Sequence, residues 1–254
     1  MTGGCHCGQV RYDLTPPLRG VIACHCTQCR KSSGHFWAAT SVPMTGFRLV
    51  TDDGLVWFRS SSKAQRGFCK SCGSSLFYEL LGQGRISIGA GTLDGPTGLA
   101  VISNWFTEDA ADYYHASRQP SPNRSNPSQL SASCLCGANH FTMPGPAGNV
   151  TACHCVQCRK ISGHFSASFD ANEAKVHWLS KASVAEYCTQ GGGVRGFCKL
   201  CGSSLYFRND DGFAVEGGVV NGPTGGKLTN HVFTGEKGDY YTLSARIPGD
   251  KLCD

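Results

Sequence analysis

The chain has 254 residues and a formal net charge of +5, and 40% of its residues are hydrophobic against 16% that are charged. This balance is typical of folded domains and excludes a largely disordered chain, and the modest charge does not indicate a nucleic-acid-binding protein. No stretch approaches the roughly 18 apolar residues that a membrane span requires, and residues 1–7 lack the basic and apolar regions of a secretory signal.

The cysteine content is the most informative part of this composition, because the chain contains 16 cysteines. Without a secretory signal we expect a cytoplasmic protein, and structural disulfides are rare in that compartment. Closely spaced thiols in such a protein more often bind a metal ion than each other.

Predicted strands dominate the chain from its start. After a Cys-His-Cys-Gly turn at residues 5–8, the side chains of Val10, Tyr12 and Leu14 alternate onto one face of a strand. A Cys-His-Cys-x-x-Cys run follows at residues 24–29, and a short helix is predicted after it. The other predicted strands are residues 55–59, 85–88, 99–102, 176–179 and 213–215. The sequence therefore predicts a mainly β fold of short antiparallel strands with at most one short helix in each half.

An internal repeat divides the chain. Blocks that begin at residues 5, 24 and 66 recur 129 positions further along, and an Asp-Gly-Pro-Thr-Gly block at residue 94 recurs after 127 positions as Asn-Gly-Pro-Thr-Gly. A shared register of this kind indicates a tandem duplication with a two-residue deletion near residues 208–212. The stretch from residue 117 is rich in Ser, Pro, Asn and Gln, which is typical of a linker. We predict domains at residues 1–116 and 130–247, joined by a linker at 117–129.

Each copy carries seven cysteines in three groups, Cys-x-Cys, Cys-x-Cys-x-x-Cys and Cys-x-x-Cys. Zinc takes four protein ligands in a closed structural site, whereas three protein ligands leave one position for water or substrate. We interpret the outer two groups as a closed site and the middle group as an open site, which gives up to two zinc ions per domain and four per chain. The predicted ligands are Cys5, Cys7, Cys69 and Cys72 with Cys24, Cys26 and Cys29 in the first copy, and Cys134, Cys136, Cys198 and Cys201 with Cys153, Cys155 and Cys158 in the second.

An alternative interpretation stays open at this point. All seven cysteines could hold structural zinc only, with a histidine completing the second site. His25 or His35 could do so in the first copy, and His154 or His164 in the second. Cys188 and Cys253 have no counterpart in the first copy, and we predict that they are free thiols.

The three repeated motifs resemble a known family. Gly-x-Cys-x-Cys-Gly, Cys-His-Cys-x-x-Cys-Arg-Lys-x-x-Gly and Arg-x-Phe-Cys-x-x-Cys-Gly-x-x-Leu occur in this order, as in the glutathione-dependent formaldehyde-activating enzyme family, which includes centromere protein V. The resemblance covers nearly all of both halves. It implies two β-tent domains of antiparallel sheets, each with a structural zinc on four cysteines and a second zinc on the three-cysteine motif.

The resemblance also implies an activity. The family's reaction joins formaldehyde to glutathione reversibly and gives S-hydroxymethylglutathione, so we expect a zinc-dependent carbon–sulfur lyase whose partner is a small thiol or thiol–aldehyde adduct. The alternative is a non-catalytic zinc module that binds a protein or nucleic acid, as the centromere relative suggests. The chain has no long basic tail, and we expect neither a nucleic-acid nor a membrane partner.

Two kinds of polar residue are candidates for positioning a substrate. Gln28 and Gln157 lie inside the Cys-x-x-Cys loops and could approach the open position. Basic residues of the repeated blocks could bind the carboxylates of a peptide-like thiol, or they could form an exposed surface or balance the anionic thiolates. These basic residues are Arg30, Lys31, Arg66, Arg159, Lys160 and Arg195.

Three histidines are further catalytic candidates. His35 and His164 could transfer a proton or donate to a thiolate, or they could be buried residues with a structural hydrogen bond. The resemblance implies a late histidine that matches His231, which could equally be a packed strand residue. The first copy has Asn104 at the aligned place, so the two copies are not predicted to be equal.

Overall fold

A computed structural model describes residues 1–116 and 125–243, which are called here the first and the second copy. The fold is mainly β, as the sequence predicts, and the two copies build the same arrangement. Within the described residues each copy forms one three-stranded sheet and one seven-stranded sheet.

The described part of the first copy contains ten strands and one α-helix. In chain order they are β1 (Thr2–Gly4), β2 (Arg11–Leu14), β3 (Val21–Cys24), α1 (Thr27–Ser33), β4 (Trp37–Pro43), β5 (Phe47–Thr51), β6 (Leu55–Arg59), β7 (Ala64–Cys69), β8 (Ser75–Leu80), β9 (Arg85–Gly89) and β10 (Val101–Trp105).

The described part of the second copy repeats this order. Its elements are β11 (Gln129–Ser133), β12 (His140–Pro144), β13 (Asn149–Cys153), α2 (Val156–Ser162), β14 (Ser166–Ala171), β15 (His177–Ser180), β16 (Val184–Cys188), β17 (Val194–Cys198), β18 (Ser204–Asn209), β19 (Gly212–Glu216) and β20 (Lys227–Val232).

The alternation predicted for the first long strand is confirmed. Val10, Tyr12 and Leu14 are 0%, 0% and 3% exposed, while Arg11 and Asp13 between them are half-buried. Successive side chains of a strand point to opposite faces, so one face of β2 closes the core and the other stays partly in solvent.

The strand order places the cysteine-bearing segments side by side. The large sheet of the first copy has the order β10-β3-β4-β9-β8-β7-β6, and that of the second has the mirror list β16-β17-β18-β19-β14-β13-β20. The strands pair antiparallel as predicted, except that β3 pairs with β10, and β13 with β20, in parallel. A parallel pair needs a crossover connection, and the segment between β9 and β10 supplies it here by crossing to the far edge of the sheet.

Both helices begin inside the cysteine run and not after it, which corrects the predicted position. α1 starts at Thr27, so Cys29 lies in its first turn, and it ends where Gly34 adopts a left-handed φ of 85°. A left-handed residue closes a helix by bonding back to its last turn, and the N–H of Gly34 donates to Arg30 O. No helix among the described residues is both long enough and apolar enough to cross a membrane.

Each copy ends in a segment that packs on the other copy. We call residues 112–114 and 239–241 the Asp-Tyr-Tyr segments, because both have that sequence. Tyr113 and Tyr114 lie in the hydrophobic core of the second copy, and Tyr240 packs against Val21 and Ala38 of the first. The exchange is reciprocal, so the two copies form one body with approximate twofold symmetry.

The aspartates of these segments form matching hydrogen bonds to the opposite copy. Asp112 accepts from the N–H and the hydroxyl of Thr224 at 2.8 and 2.7 Å and from the N–H of Gly225 at 2.8 Å. Asp239 accepts from the equivalent groups of Thr97 and Gly98 in the first copy. The repeated Gly-Pro-Thr-Gly block is thus the binding site for the other copy's aspartate.

The backbones of the two copies also touch directly at glycine residues. The N–H of Gly91 donates to Gly163 O at 2.8 Å, and a Cβ on Gly91 would lie 2.6 Å from Arg159 O. A side chain would prevent this approach, so glycine is required there. The predicted boundaries at 1–116 and 130–247 therefore separate two sequence copies whose ends are packed on each other. Residues 117–124 of the predicted linker, residues 244–247 of the second predicted domain, and Cys253 lie outside the described residues.

We expect Asp112→Ala to lower the free energy of unfolding by about 1–3 kcal/mol, because it leaves three donors of the opposite copy without their acceptor. Urea denaturation followed by tryptophan fluorescence measures this change. Asp53→Ala, in the exposed turn before β6, is the control. If Asp112→Ala and Asp53→Ala unfold at the same urea concentration, the hydrogen bonds of Asp112 do not stabilise the packing of the two copies.

Candidate metal centres and active-site cleft

The outer two cysteine groups of each copy meet in one cluster. The turn after β1 lies against the turn between β7 and β8, where the N–H of His6 donates to Ser74 Oγ at 3.0 Å. The thiol sulfurs of each group lie within 4.8 Å of one another. The four-cysteine clusters are Cys5, Cys7, Cys69 and Cys72 in the first copy and Cys134, Cys136, Cys198 and Cys201 in the second.

The spacing of these sulfurs fits zinc. The Sγ atoms of Cys5 and Cys7 are 3.5 Å apart, and those of Cys7 and Cys69 are 3.6 Å apart. A zinc ion with four thiolates at about 2.3 Å has sulfur–sulfur edges of about 3.8 Å. The second copy has the same spacing, with 3.5 and 3.7 Å between corresponding sulfurs.

The middle group of each copy forms a separate cluster of three thiols. Cys24 ends β3, Cys26 precedes α1 and Cys29 lies in its first turn. The Sγ atoms of Cys24 and Cys26 are 3.6 Å apart, and the equivalent distance in the second copy is 3.5 Å. The three-cysteine clusters are Cys24, Cys26 and Cys29 in the first copy and Cys153, Cys155 and Cys158 in the second.

These clusters have the protonation chemistry of a cation site. Hydrogen bonds from the thiols of Cys24 and Cys29 lower the pKa of Cys26 to about 2, and the same arrangement lowers the pKa of Cys155 to about 3. A thiolate, and not a thiol, is the form that binds a metal ion. In each three-cysteine cluster one thiol thus favours the thiolate form, while the hydrogen bond to it raises the pKa values of Cys24 and Cys153.

An arginine lies against each three-cysteine cluster. Arg66 Nη2 is 3.5 Å from Cys29 Sγ and 3.4 Å from Gln28 Oε1. In the second copy, Arg195 Nη2 is 3.3 Å from Cys158 Sγ and 2.8 Å from Gln157 Oε1. Both guanidinium groups are buried, so each places a positive charge where three thiolates and a divalent metal would leave one negative charge.

A cleft of about 430 Å³ opens over the three-cysteine cluster of the first copy. It is large enough for a small organic ligand. Gln28 and Arg66 line it together with the cluster. Its other walls include four aromatic side chains, Trp37, Tyr78, Trp105 and Phe106, together with the charged Arg19 and Asp109.

The three histidine candidates lie elsewhere. His35, His164 and His231 line a larger cavity of about 800 Å³ between the two copies, and none of them lines the cleft. His35 Nδ1 is 2.7 Å from Tyr113 OH. Burial lowers the pKa values of His35 and His164 well below the usual range, so both imidazoles are neutral at physiological pH.

His25 and His154, the histidines of the two Cys-His-Cys runs, each lie between a tyrosine hydroxyl and a residue of β10 or β20. His154 lies between Tyr241 OH and His231 Nδ1, at 2.7 Å from each. In the first copy Asn104 takes the place of His231 beside His25, at 3.1 Å. Among the described residues the metal-compatible groups consist of cysteines alone, so the alternative in which a histidine completes the second site is not supported.

The basic candidates separate into three groups. Lys31 Nζ donates to Ser133 and Asn221 of the second copy, and Lys160 Nζ donates to Asp94 of the first copy. These two lysines therefore hold the copies together. Arg30 and Arg159 lie in the last turns of α1 and α2, and only Arg66 and Arg195 reach the three-cysteine clusters.

Several residues of this region were not predicted. The tyrosines bonded to the histidines belong to the Asp-Tyr-Tyr segments, and the repetition of that triplet is a signal the sequence offered. Glu216 is 2% exposed and accepts two hydrogen bonds from Ser166 Oγ. Burial raises the pKa of Glu216 to about 8. It has glycine as its counterpart in the first copy, so no repeated pattern pointed to it.

Comparison with known proteins gives a match over most of the chain. The family model described as "Glutathione-dependent formaldehyde-activating enzyme" matches residues 1–109 and 129–236. The two matched segments correspond to the two copies, as a tandem duplication predicts.

Individual relatives are distant. An uncharacterized lyase of Schizosaccharomyces pombe is 29% identical over 84 residues, which are 33% of this chain and 61% of the yeast protein. A crystal structure of a Rhodobacter sphaeroides protein is 21% identical with a TM-score of 0.34, and the match covers 41% of this chain and 99% of that one.

We expect the purified chain to contain four zinc ions by mass spectrometry of the metal, one for each cluster. Cys72→Ser should lose one ion and lower the melting temperature by roughly 10 °C, because the four-cysteine cluster joins the β1 and β7–β8 turns. Cys26→Ser should lose one ion with little thermal effect.

Cys188→Ser is the matched control, because Cys188 is an exposed thiol outside all four clusters. It should keep four ions and the original melting temperature. A Cys72→Ser variant with a full complement of zinc would show that the four-cysteine cluster is not a metal site.

Proposed function

Because the chain belongs to the glutathione-dependent formaldehyde-activating enzyme family, we propose that it is a zinc-dependent carbon–sulfur lyase. Its substrate is a thiol–aldehyde adduct such as S-hydroxymethylglutathione. The observation that carries this proposal is a cluster of three thiols, and not four, beneath a cleft of small-molecule size. The lyase name of the yeast relative adds support.

The two kinds of cluster have different tasks in this proposal. The four-cysteine clusters would hold zinc with all four positions filled by protein, and so stabilise the turns that they join. The three-cysteine clusters would hold zinc with one position left for the substrate. A metal ion bound by three thiolates would supply a soft Lewis-acid position suited to a sulfur atom.

The reaction forms or breaks one carbon–sulfur bond. In the forming direction the thiolate sulfur adds to the aldehyde carbon, and the electron pair of the C=O bond moves to oxygen. That oxygen takes up the proton released by the thiol, which gives the hydroxymethyl thioether. The lyase direction reverses each change, so no oxidant or reductant is needed.

The protein's own residues bind and orient the reactants. The guanidinium groups of Arg66 and Arg195 offset the charge of the thiolates and, with Gln28 and Gln157, face the substrate position. Aromatic walls exclude water from the sulfur and hold the carbon within reach, and such positioning supplies much of the rate in a reaction that already occurs slowly in solution. His35, His164 and His231 are assigned no direct contact with the reacting atoms.

The alternative of a zinc module for protein or nucleic acid has no comparable support. The formal charge of +5 is modest for nucleic-acid binding, and the cleft has the size and lining of a small-molecule site. We also propose a cytoplasmic location, where thiols stay reduced and able to bind zinc.

We expect the zinc-loaded chain to accelerate the exchange between formaldehyde, glutathione and S-hydroxymethylglutathione in proportion to protein concentration. Exchange NMR with ¹³C-formaldehyde separates this rate from the spontaneous reaction. Cys26→Ser combined with Cys155→Ser should lower the protein-dependent rate by about 100-fold or more, since both substrate positions are lost.

The fold is the control for this experiment. The double variant should keep the zinc ions of both four-cysteine clusters and a melting temperature close to that of the original chain. If it retains the full exchange rate while its three-cysteine clusters are empty, the proposed site is wrong.

A further inference from the structure

The two three-cysteine clusters have different surroundings, although their cysteines, glutamines and arginines are the same. We infer that the two three-cysteine sites have diverged in substrate: the first takes a thiol adduct with an aromatic substituent, and the second takes a polar, peptide-like one. This inference rests on the proposed function and assigns a substrate class to each site.

The first difference lies directly beside the clusters. Trp37 is the cross-strand neighbour of Cys24, and Ser166 is the cross-strand neighbour of Cys153. The indole of Trp37 is 4% exposed and forms a wall of the first cleft. Neighbouring side chains on adjacent strands lie side by side, so an aromatic ring adjoins the first substrate position and a hydroxyl adjoins the second.

This exchange is coupled to a second one. Ser166 Oγ donates to both carboxyl oxygens of Glu216, at 2.8 and 2.9 Å, whereas the position of Glu216 is Gly89 in the first copy. A Cβ on Gly89 would lie 3.0 Å from the Cα of Gly163 and 3.1 Å from Ser75 O, so a side chain there would require the neighbouring backbone to shift. At these two positions each copy thus has one large and one small residue. The first copy has the indole of Trp37 together with Gly89, and the second has the buried carboxyl group of Glu216 together with Ser166.

The mouth of the first cleft is aromatic as well. Trp105 and Phe106 are 48% and 51% exposed and line the opening. The second copy keeps Phe233 but has Val232 in place of Trp105. Exposed aromatic rings beside a cleft are available to stack on an aromatic ligand, and the first copy offers one more than the second.

The second cluster also receives a polar group from the other copy. His6 Nε2 lies 3.4 Å from Gln157 Nε2, and Gln157 in turn accepts from Arg195. The residue at the position of His6 in the second copy is Leu135. The second cluster therefore has a polar neighbour from the other copy, and the sequence counterpart of that neighbour is apolar.

Not every position follows this trend. Arg19 lines the first cleft and is Gly148 in the second copy. The guanidinium of Arg19 donates to the backbone oxygens of Gly20 and Ala39, so its donors are engaged within the sheet. The groups nearest the cysteines, Trp37 and Ser166, decide the assignment.

Variants that remove one cluster at a time test the assignment. The Cys155→Ser variant keeps only the first three-cysteine site intact, and the Cys26→Ser variant keeps only the second. Each variant is loaded with zinc and assayed with formaldehyde and either benzyl mercaptan or glutathione. We expect Cys155→Ser to prefer the benzyl adduct, and Cys26→Ser the glutathione adduct, with the ratio of kcat/KM values differing by about tenfold or more between them.

Binding provides a second readout that does not depend on turnover. Calorimetric titration of the same zinc-loaded variants with benzyl mercaptan and with glutathione should give dissociation constants that reverse order between the variants. Turnover with the same preference in both variants would overturn the inference and leave the lyase proposal standing. Reversed binding preferences without turnover would overturn the lyase proposal and leave the divergence of the sites standing.

Exchanging the coupled residues between the copies tests whether they cause the difference in substrate preference. In the Cys26→Ser background, Ser166→Trp with Glu216→Gly introduces the first copy's pair and should shift the preference toward the benzyl adduct by about fivefold or more. In the Cys155→Ser background, Trp37→Ser should lower kcat/KM for benzyl mercaptan about fivefold more than it lowers kcat/KM for glutathione. Unchanged preferences in a folded Trp37→Ser variant would overturn the assignment even if the double exchange does not fold.

Discussion

The reciprocal packing of the Asp-Tyr-Tyr segments is the interaction on which the rest of the structure depends. Each aspartate binds the Thr-Gly backbone of the opposite copy, and each first tyrosine lies beside a buried histidine at the boundary between the copies. Because both ends are exchanged, neither copy closes its core alone. The helices that carry the third cysteine of each open cluster are held at the same boundary, where glycine backbones touch.

This boundary explains why the most buried histidines do not serve the cleft. Each neutral imidazole is surrounded by aromatic rings and bonded through Nδ1 to a tyrosine hydroxyl, whereas His35 Nε2 is buried without a hydrogen-bond partner among the described residues. His35 and His164 occupy this position on either side of the approximate twofold axis. The proposed function assigns the chemistry instead to the thiols, arginines and glutamines of the three-cysteine clusters.

Duplication within one chain gives the protein a freedom that a symmetric dimer lacks. In a dimer of identical chains every substitution appears twice, whereas here the exchange of an indole and glycine for a serine and glutamate affects one site only. The cysteine clusters and the exchanged segments are the same in both copies, since the fold depends on them. The side chains beside the three-cysteine clusters differ between the copies, and the proposed divergence in substrate accounts for this difference.

The sequence by itself determined the duplication, the family and the mainly β fold, and it predicted the division of seven thiols into four and three. Strand alternation follows directly from backbone geometry, and cysteines two or three residues apart can reach one ion where the chain turns tightly. The four-cysteine clusters also join cysteines that are far apart in the chain, which only the fold brings together. The positions of Arg66 and Arg195 beside the three-cysteine clusters also agree with the prediction that basic residues balance the thiolates.

Only the tertiary structure decided what lies across the boundary between the copies. Lys31, Lys160, His35 and His164 follow the cysteine runs closely in sequence, yet the packing of the two copies directs them to the opposite copy or to the central cavity. Sequence spacing contains no information about such contacts, because they join residues more than 60 positions apart through packing that both copies complete together. His6 escaped prediction for the same reason, since its imidazole reaches Gln157 of the other copy.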